Sequence, residues 1–315
     1  MSSIFAGYSS AQTIPSVLVN DGCGVFRYCE GYSSAQNILA VEVEKGILHL
    51  QTSATSVQLD PTPIGPTNGG AYSFQADVIG TNLQSLSPPR VTGPISVNSQ
   101  FYNNGYLSYN SINKDWEFGS NANDWGSPTL TDLNSNFGDG IYTFTISGKS
   151  LDLNLSGNAF PNAPLLTLSG GTWDGGEYIL DISKPLTIVT NVFLDYGTHL
   201  EDIIAAGVED VDAVPQFSTT TPSSNSLSYT LPAYSLTAGK TYTGGAQFTS
   251  IVDWQTVDWL DGSINFAGYF SNTEFTIRTV PEQNSVPEPN SAILLALGLI
   301  SFISFHRQRN SWDSI

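Results

Sequence analysis

The stretch Leu151-Asp152-Leu153-Asn154-Leu155 alternates strictly between apolar and polar side chains. Successive side chains of a strand point to opposite faces, so this stretch reads as a β-strand with one buried face and one wet face. Working outward toward the N-terminus, residues 140–146, 100–109 and 72–79 are rich in the β-branched and aromatic residues that suit a pleated surface. Residues 40–44 and 47–51 flank Lys45-Gly46 and read as a β-hairpin. Residues 60–70, dense in Pro, Thr and Gly, read as a long loop or linker.

Beyond a cluster of turn residues at 156–164, a second series of extended segments begins. It comprises 165–168, 176–182, 185–194, 226–231, 241–249, 262–270 and 274–280. Short strands in that number, with frequent turn signals, suit a β-sandwich of the immunoglobulin type. Leu231-Pro232-Ala233-Tyr234-Ser235-Leu236-Thr237-Ala238-Gly239-Lys240-Thr241-Tyr242 combines a strand, a proline kink, a glycine turn and a tyrosine opening the next strand. It resembles the corner between sheets in fibronectin-like modules. The expected fold class is therefore all-β, with one or two immunoglobulin- or fibronectin-like sandwich domains at 39–155 and 156–280. One stretch breaks the rhythm. Leu200, Ile203, Ile204 and Gly207 fall on a helical stripe, which predicts a short helix over 200–208.

Composition supports an extracellular β protein. Apolar residues make up 40% of the 315 and allow a sizeable core, while charged residues are only 12%, about half the usual share. The net charge of −18, with ten basic residues in all, excludes phosphate-driven binding of nucleic acid and disfavours anionic lipid surfaces. Cys23 and Cys29 are the two cysteines. In an oxidising compartment they are candidates for a small disulfide loop contributing about 2 kcal/mol; the alternative is two free thiols. Residues 1–38 read as a poorly ordered N-terminal segment in which Gly7-Tyr8-Ser9-Ser10-Ala11-Gln12 recurs at 31–36, too few copies for a solenoid. No export signal is recognisable at 1–20, so the reading places the true start upstream or treats the chain as a truncated copy.

The C-terminal residues carry an address. Val286-Pro287-Glu288-Pro289 closes a proline-rich linker at 281–290; an apolar run follows at 292–305, then His306-Arg307-Gln308-Arg309. A single apolar helix over 291–309 would enter a bilayer, with Arg307 and Arg309 holding its far end in the cytoplasm; residues 310–315 trail behind. These residues resemble the PEP-CTERM sorting signal of bacterial exosortase substrates. The resemblance covers the chain only from Val286 onward. It implies that Val286, Pro287, Glu288 and Pro289 are recognised by an exosortase, a membrane-embedded transpeptidase-like enzyme. It further implies an inner-membrane anchor before processing, and an envelope or extracellular protein afterwards. The role expected is structural or adhesive, with extracellular polysaccharide as a partner.

Chemistry is sparse. The three histidines, His49, His199 and His306, are scattered, and no nucleophile elbow, phosphate loop or metalloprotease helix occurs. The expectation is no enzyme and no cofactor. Val252-Asp253-Trp254 and Val257-Asp258-Trp259 repeat a triplet, and acids beside indole faces are what a sugar platform uses. Residues five apart share no face of a strand or helix, so only a loop would present Trp254 and Trp259 together. Asp253, Asp258 and Asp261 are the candidates to collect Ca²⁺, although their spacing fits no EF-hand. Asp115 and Asp124, around Trp116 and Trp125, form a similar loop-rich zone. Two other functions stay open: a carbohydrate-binding or carbohydrate-cleaving protein with the same tail, and an intracellular β protein whose C-terminal helix is buried.

Overall fold

The computed structural model describes residues 37–61, 70–96, 104–111, 115–118, 125–210, 216–219, 224–260 and 264–280. Among them the protein is mostly β. The first elements are β1 (Asn37–Gln51), β2 (Val57–Leu59), β3 (Tyr72–Thr81), β4 (Arg90–Thr92), β5 (Ser108–Asn110), β6 (Asp115–Glu117) and β7 (Trp125–Ser127). One short helix, α1 (Leu130–Asn136), precedes β8 (Gly140–Ile146) and β9 (Lys149–Leu155). Then come β10 (Leu166–Ser169), β11 (Gly171–Asp174), β12 (Glu177–Asp181), β13 (Leu186–Thr190), β14 (Glu201–Asp210) and β15 (Gln216–Thr219). The last are β16 (Ser228–Leu231), β17 (Thr241–Gln255) and β18 (Ile264–Val280).

A 12-stranded mixed sheet runs β15-β14-β17-β18-β1-β3-β6-β5, with β2, β7 and the β11–β12 hairpin attached beside this path. Two three-stranded sheets, β4-β8-β9 and β10-β13-β16, complete the fold. β18 is its axis. It pairs antiparallel with β17 from Thr241↔Arg278 to Gln255↔Asn265. Along its other edge it pairs in parallel with β1, from Ala40↔Ile264 to Leu50↔Glu274, and then with β12. Strands from before and after 156–164 therefore meet in one sheet.

The alternation in β9 is realised as read: Leu151, Leu153 and Leu155 are buried while Asp152 and Asn154 are exposed. β9 forms a hairpin with β8 through Ser147 and Gly148, both at positive φ (51° and 78°), the handedness that matches strand twist in a two-residue loop. The buried side of this hairpin packs on the first core. There Phe74 stacks on Phe137 at 4.0 Å between ring centroids and meets Phe118 edge-on at 5.5 Å. A second core joins Leu166, Tyr178, Leu186, Ile188, Val208, Tyr242, Phe275 and Ile277, placing β10-β13-β16 over the other half of the large sheet.

Three local expectations are corrected. Lys45-Gly46 is no turn; β1 runs straight through it. Gly46 lies opposite Phe270 of β18, and a Cβ there would fall inside the Phe270 ring. The glycine makes room for a neighbour, the other common reason for glycine within a strand. The helix expected at 200–208 is strand β14. Ile204, Ala206 and Val208 face the second and third cores, yet Ala205 on the opposite face is only 2% exposed. A segment apolar on both sides loses the period that separates strand from helix. The segments read separately at 262–270 and 274–280 are one strand, because Ser271, Asn272 and Thr273 are interior residues; the Ser271 hydroxyl donates to Pro161 O at 2.7 Å. No described helix is long and apolar enough to cross a membrane. The apolar segment at 291–309 lies outside the described residues.

Gln51 ties the layers together. Its Nε2 donates to Leu166 O at 2.7 Å and its Oε1 accepts from Leu166 N at 2.8 Å, so a fully buried carboxamide continues the edge of β10 like a short piece of strand. Gln51→Leu should cost roughly 2–4 kcal/mol, because two buried backbone groups lose their partners. Urea unfolding checks this, and a loss under about 0.5 kcal/mol would contradict the bridge.

His49 gives a pH signature. Burial holds its ring below the ordinary histidine range, opposed by backbone hydrogen bonds to Asn272 and Ile47. The folded pKa therefore lies below the unfolded one. Between the two, the unfolded chain binds a proton that the native protein does not, so stability rises with pH there and falls on acidification below 6.5. His49→Gln should flatten this part of a stability–pH profile.

Candidate functional site

A polar constellation that joins five elements of the described protein is built on Lys45. Val41, Val43, Lys45 and Ile47 share one face of β1, so the lysine is in phase with core residues and its side chain is 0% exposed. Cross-strand neighbours Phe74 and Tyr269 wall it on either side. Its Nζ donates to Asn134 Oδ1 of α1 and to Asp139 Oδ1 in the loop before β8, each at 2.9 Å. Tyr269 OH donates to the same Asp139 oxygen at 3.2 Å, and Asp139 Oδ2 accepts from Gly157 N and Asn158 Nδ2. Burial pushes the Lys45 amine below the ordinary lysine range, opposed by the hydrogen bond and charge of Asp139. Burial likewise raises the Tyr142 and Tyr269 hydroxyls, with the Asp139 charge acting in the same direction. The signal in sequence was the lysine's phase. Its partners come from elements far along the chain and leave no local trace.

The Val-Asp-Trp repeat is split between two elements. Asp253 lies in β17, where its Oδ2 accepts from Asn154 N at 2.7 Å and its Oδ1 from Trp254 N and Gln255 Nε2. It thereby fastens β17 to β9. Trp254 is half-buried and pairs in register with Phe266. Trp259 sits in a single helical turn, Asp258–Leu260, against the first core, with Lys149 Nζ 5.6 Å from its ring centre. Asp258 is exposed at the start of that turn. Asp261 lies outside the described residues, as do Val286, Pro287, Glu288, Pro289, Arg307, Arg309, Cys23 and Cys29.

Asp115 and Trp116 belong to a strand and not to a loop. Here the sheet carries a feature that sequence reading missed. Glu42, Asp77 and Glu117 are successive register partners on β1, β3 and β6, and each is less than 10% exposed. Asn110 Nδ2 donates to Glu117 Oε2 at 3.0 Å. Three side-by-side strands spread such carboxylates over roughly 10 Å, too wide to close on one ion, and no described group of His, Cys, Asp or Glu is placed to hold a metal. The alternation Val41-Glu42-Val43-Glu44 signalled an acidic face; that this face is buried was not legible.

His199 Nδ1 lies 2.8 Å from Asp202 Oδ1, and Gly197 N donates to Asp202 Oδ2 at 2.6 Å. Ser250, the cross-strand partner of Asp202, is fully buried and out of a substrate's reach. A concavity of about 440 Å³ lies beside β12, lined by Gly171, Thr172, Ile179, Asp181, Lys184 and Val280. Its carboxylate is occupied: Asp181 Oδ1 accepts from both Ser183 N and Oγ, which with Lys184 nearby holds it below the usual range.

Comparison with protein-family models finds no match, and comparison with curated proteins finds none. What can be said plainly is the class: a mostly β protein built on one large mixed sheet with two small sheets packed on it. Its most developed internal site is the Lys45–Asn134–Asp139 cluster.

Proposed function

We propose that this is an exported structural or adhesive protein of the cell surface or extracellular matrix, carried by a C-terminal tail that an exosortase-type enzyme processes. The observation that carries the reading is where the tail joins the body. β18, paired along both edges, ends at Val280 directly before the proline-rich stretch 281–290. Ladder hydrogen bonds run across a strand, so tension along β18 loads many of them in shear at once. A tether at this point meets the best-held strand of the sheet. In the tail, Pro287, Glu288 and Pro289 act as the recognition element, and Arg307 and Arg309 as the cytoplasmic stop before processing.

The finer reading of the body is two immunoglobulin- or fibronectin-like halves, 39–155 and 156–280, closed on a shared sheet. The link from β16 in a small sheet to β17 in the large one supports it. There the Tyr242 hydroxyl accepts from Thr237 N at 2.8 Å, which is how a tyrosine corner reaches back to the chain upstream.

The test is to replace Pro287, Glu288 and Pro289 together by alanine in the native cell. The unaltered protein should appear shortened in the envelope or medium, and the variant should stay full-length in the inner membrane. Finding both full-length in the cytoplasm would overturn the proposal.

A further inference from the structure

Lys45, Asn134 and Asp139 bring together an amine, a carboxamide and a carboxylate. The two 2.9 Å contacts of Lys45 Nζ join all three groups around one nitrogen. The electrophilic Cγ of Asn134 lies one C=O bond, about 1.23 Å, beyond the oxygen that the amine already touches. The lysine side chain is wholly withdrawn from solvent. Phe74 and Tyr269, both fully buried, flank it as cross-strand neighbours; Phe137 and Tyr142 pack on Phe74, and Phe160 is edge-on to Tyr269 at 4.9 Å. An ordinary buried ion pair needs only the carboxylate. Here a carboxamide is held against the buried amine as well, itself half-buried, while the carboxylate reaches the surface.

We infer that Lys45 and Asn134 condense spontaneously into an intramolecular isopeptide bond, with Asp139 as the catalytic residue that moves the proton. The neutral Nζ attacks Asn134 Cγ and forms the new C–N bond. Asp139, in contact with that nitrogen, takes a proton from it and delivers one to the departing Nδ2. The Cγ–Nδ2 bond breaks and ammonia leaves. The products are a secondary amide and ammonia, Asp139 returns to its starting state, and no oxidant or other reagent is needed. Burial acts toward the neutral amine that the attack needs, opposed by the hydrogen bond and charge of Asp139. Fixed placement supplies much of the rate, because well-oriented intramolecular reactions reach effective molarities of about 10⁵–10⁸ M. The bond would join β1, the direct neighbour of β18, to α1, across 89 residues of chain. It depends only on the folded body and stands whether or not the tail is a sorting signal.

The experiment is intact-mass spectrometry of the folded full chain, followed by peptide mapping. The expected result is a mass lower than the sequence by one ammonia, with the Lys45 peptide joined to the Asn134 peptide. Lys45→Met, which keeps the stem but lacks the amine, should restore the full mass. Asp139→Asn should leave most of the protein unlinked. A folded, protease-resistant wild-type chain at full mass would overturn the inference. So would an ammonia loss that survives Lys45→Met, since that would mark cyclisation of an asparagine elsewhere. The wild-type measurement decides the matter even if a variant fails to fold.

Discussion

Phe74→Ala should destabilise the protein by about 3–5 kcal/mol, the range for truncating a buried aromatic ring without collapse of its site. Phe74 is 0% exposed, stacks on Phe137 and touches Phe118 and Tyr142, so three rings lose a partner at once. These neighbours come from α1's C-terminal end, the segment after β6 and strand β8, and no single one can move in without leaving the others. The consequence should also extend beyond the first core. Because β18 is common to both halves of the sheet, amide exchange at Leu180 and Ile188 in the second core should speed up along with that at Leu153. Two separate transitions in urea, with only the first shifted by the substitution, would show that the halves unfold independently.

Thr273→Pro should cost roughly 3 kcal/mol or more, since proline removes a ladder donor and its ring cannot be accommodated in the middle of a sheet. Thr273 is fully buried at the centre of β18, opposite Ala246 of β17 on one side and His49 of β1 on the other. The same change at Ser150, exposed on the edge strand β9, should be milder, because its N–H, in phase with Asn154 N, faces away from β8, and edge strands tolerate proline where the donor faces outward. Equal costs at the two positions would contradict the central place given to β18.

The fold was legible where one face is wet and the other dry. Leu151 to Leu155 announced a strand because Asp152 and Asn154 had water to point at. It was illegible where neither face has water. At Ile204–Val208 both sides of the strand are covered and the helical stripe was accidental. At Gly46 the residue answers to Phe270, which no local window contains. The same limit divides the candidate site. The phase of Lys45 with Val41 and Val43 points inward, yet it is lost once Lys45-Gly46 is read as a turn, and Asn134 and Asp139 reach the lysine only through α1 and the loop after it. The Val-Asp-Trp repeat shows the opposite case. A local likeness in sequence was sorted by the fold into a strand and a helical turn, and the Asp253 carboxylate was spent on the backbone of β9.

The proposal that this chain belongs to the cell surface draws on Val286 to Pro289 and the basic stop at Arg307 and Arg309, and one measurement tests it most directly: the mass and terminal sequence of the protein isolated from its native cells. A C-terminus within 287–290, with the apolar run removed, is the predicted result. A chain that still ends at Ile315 and is recovered from the cytoplasm would contradict it.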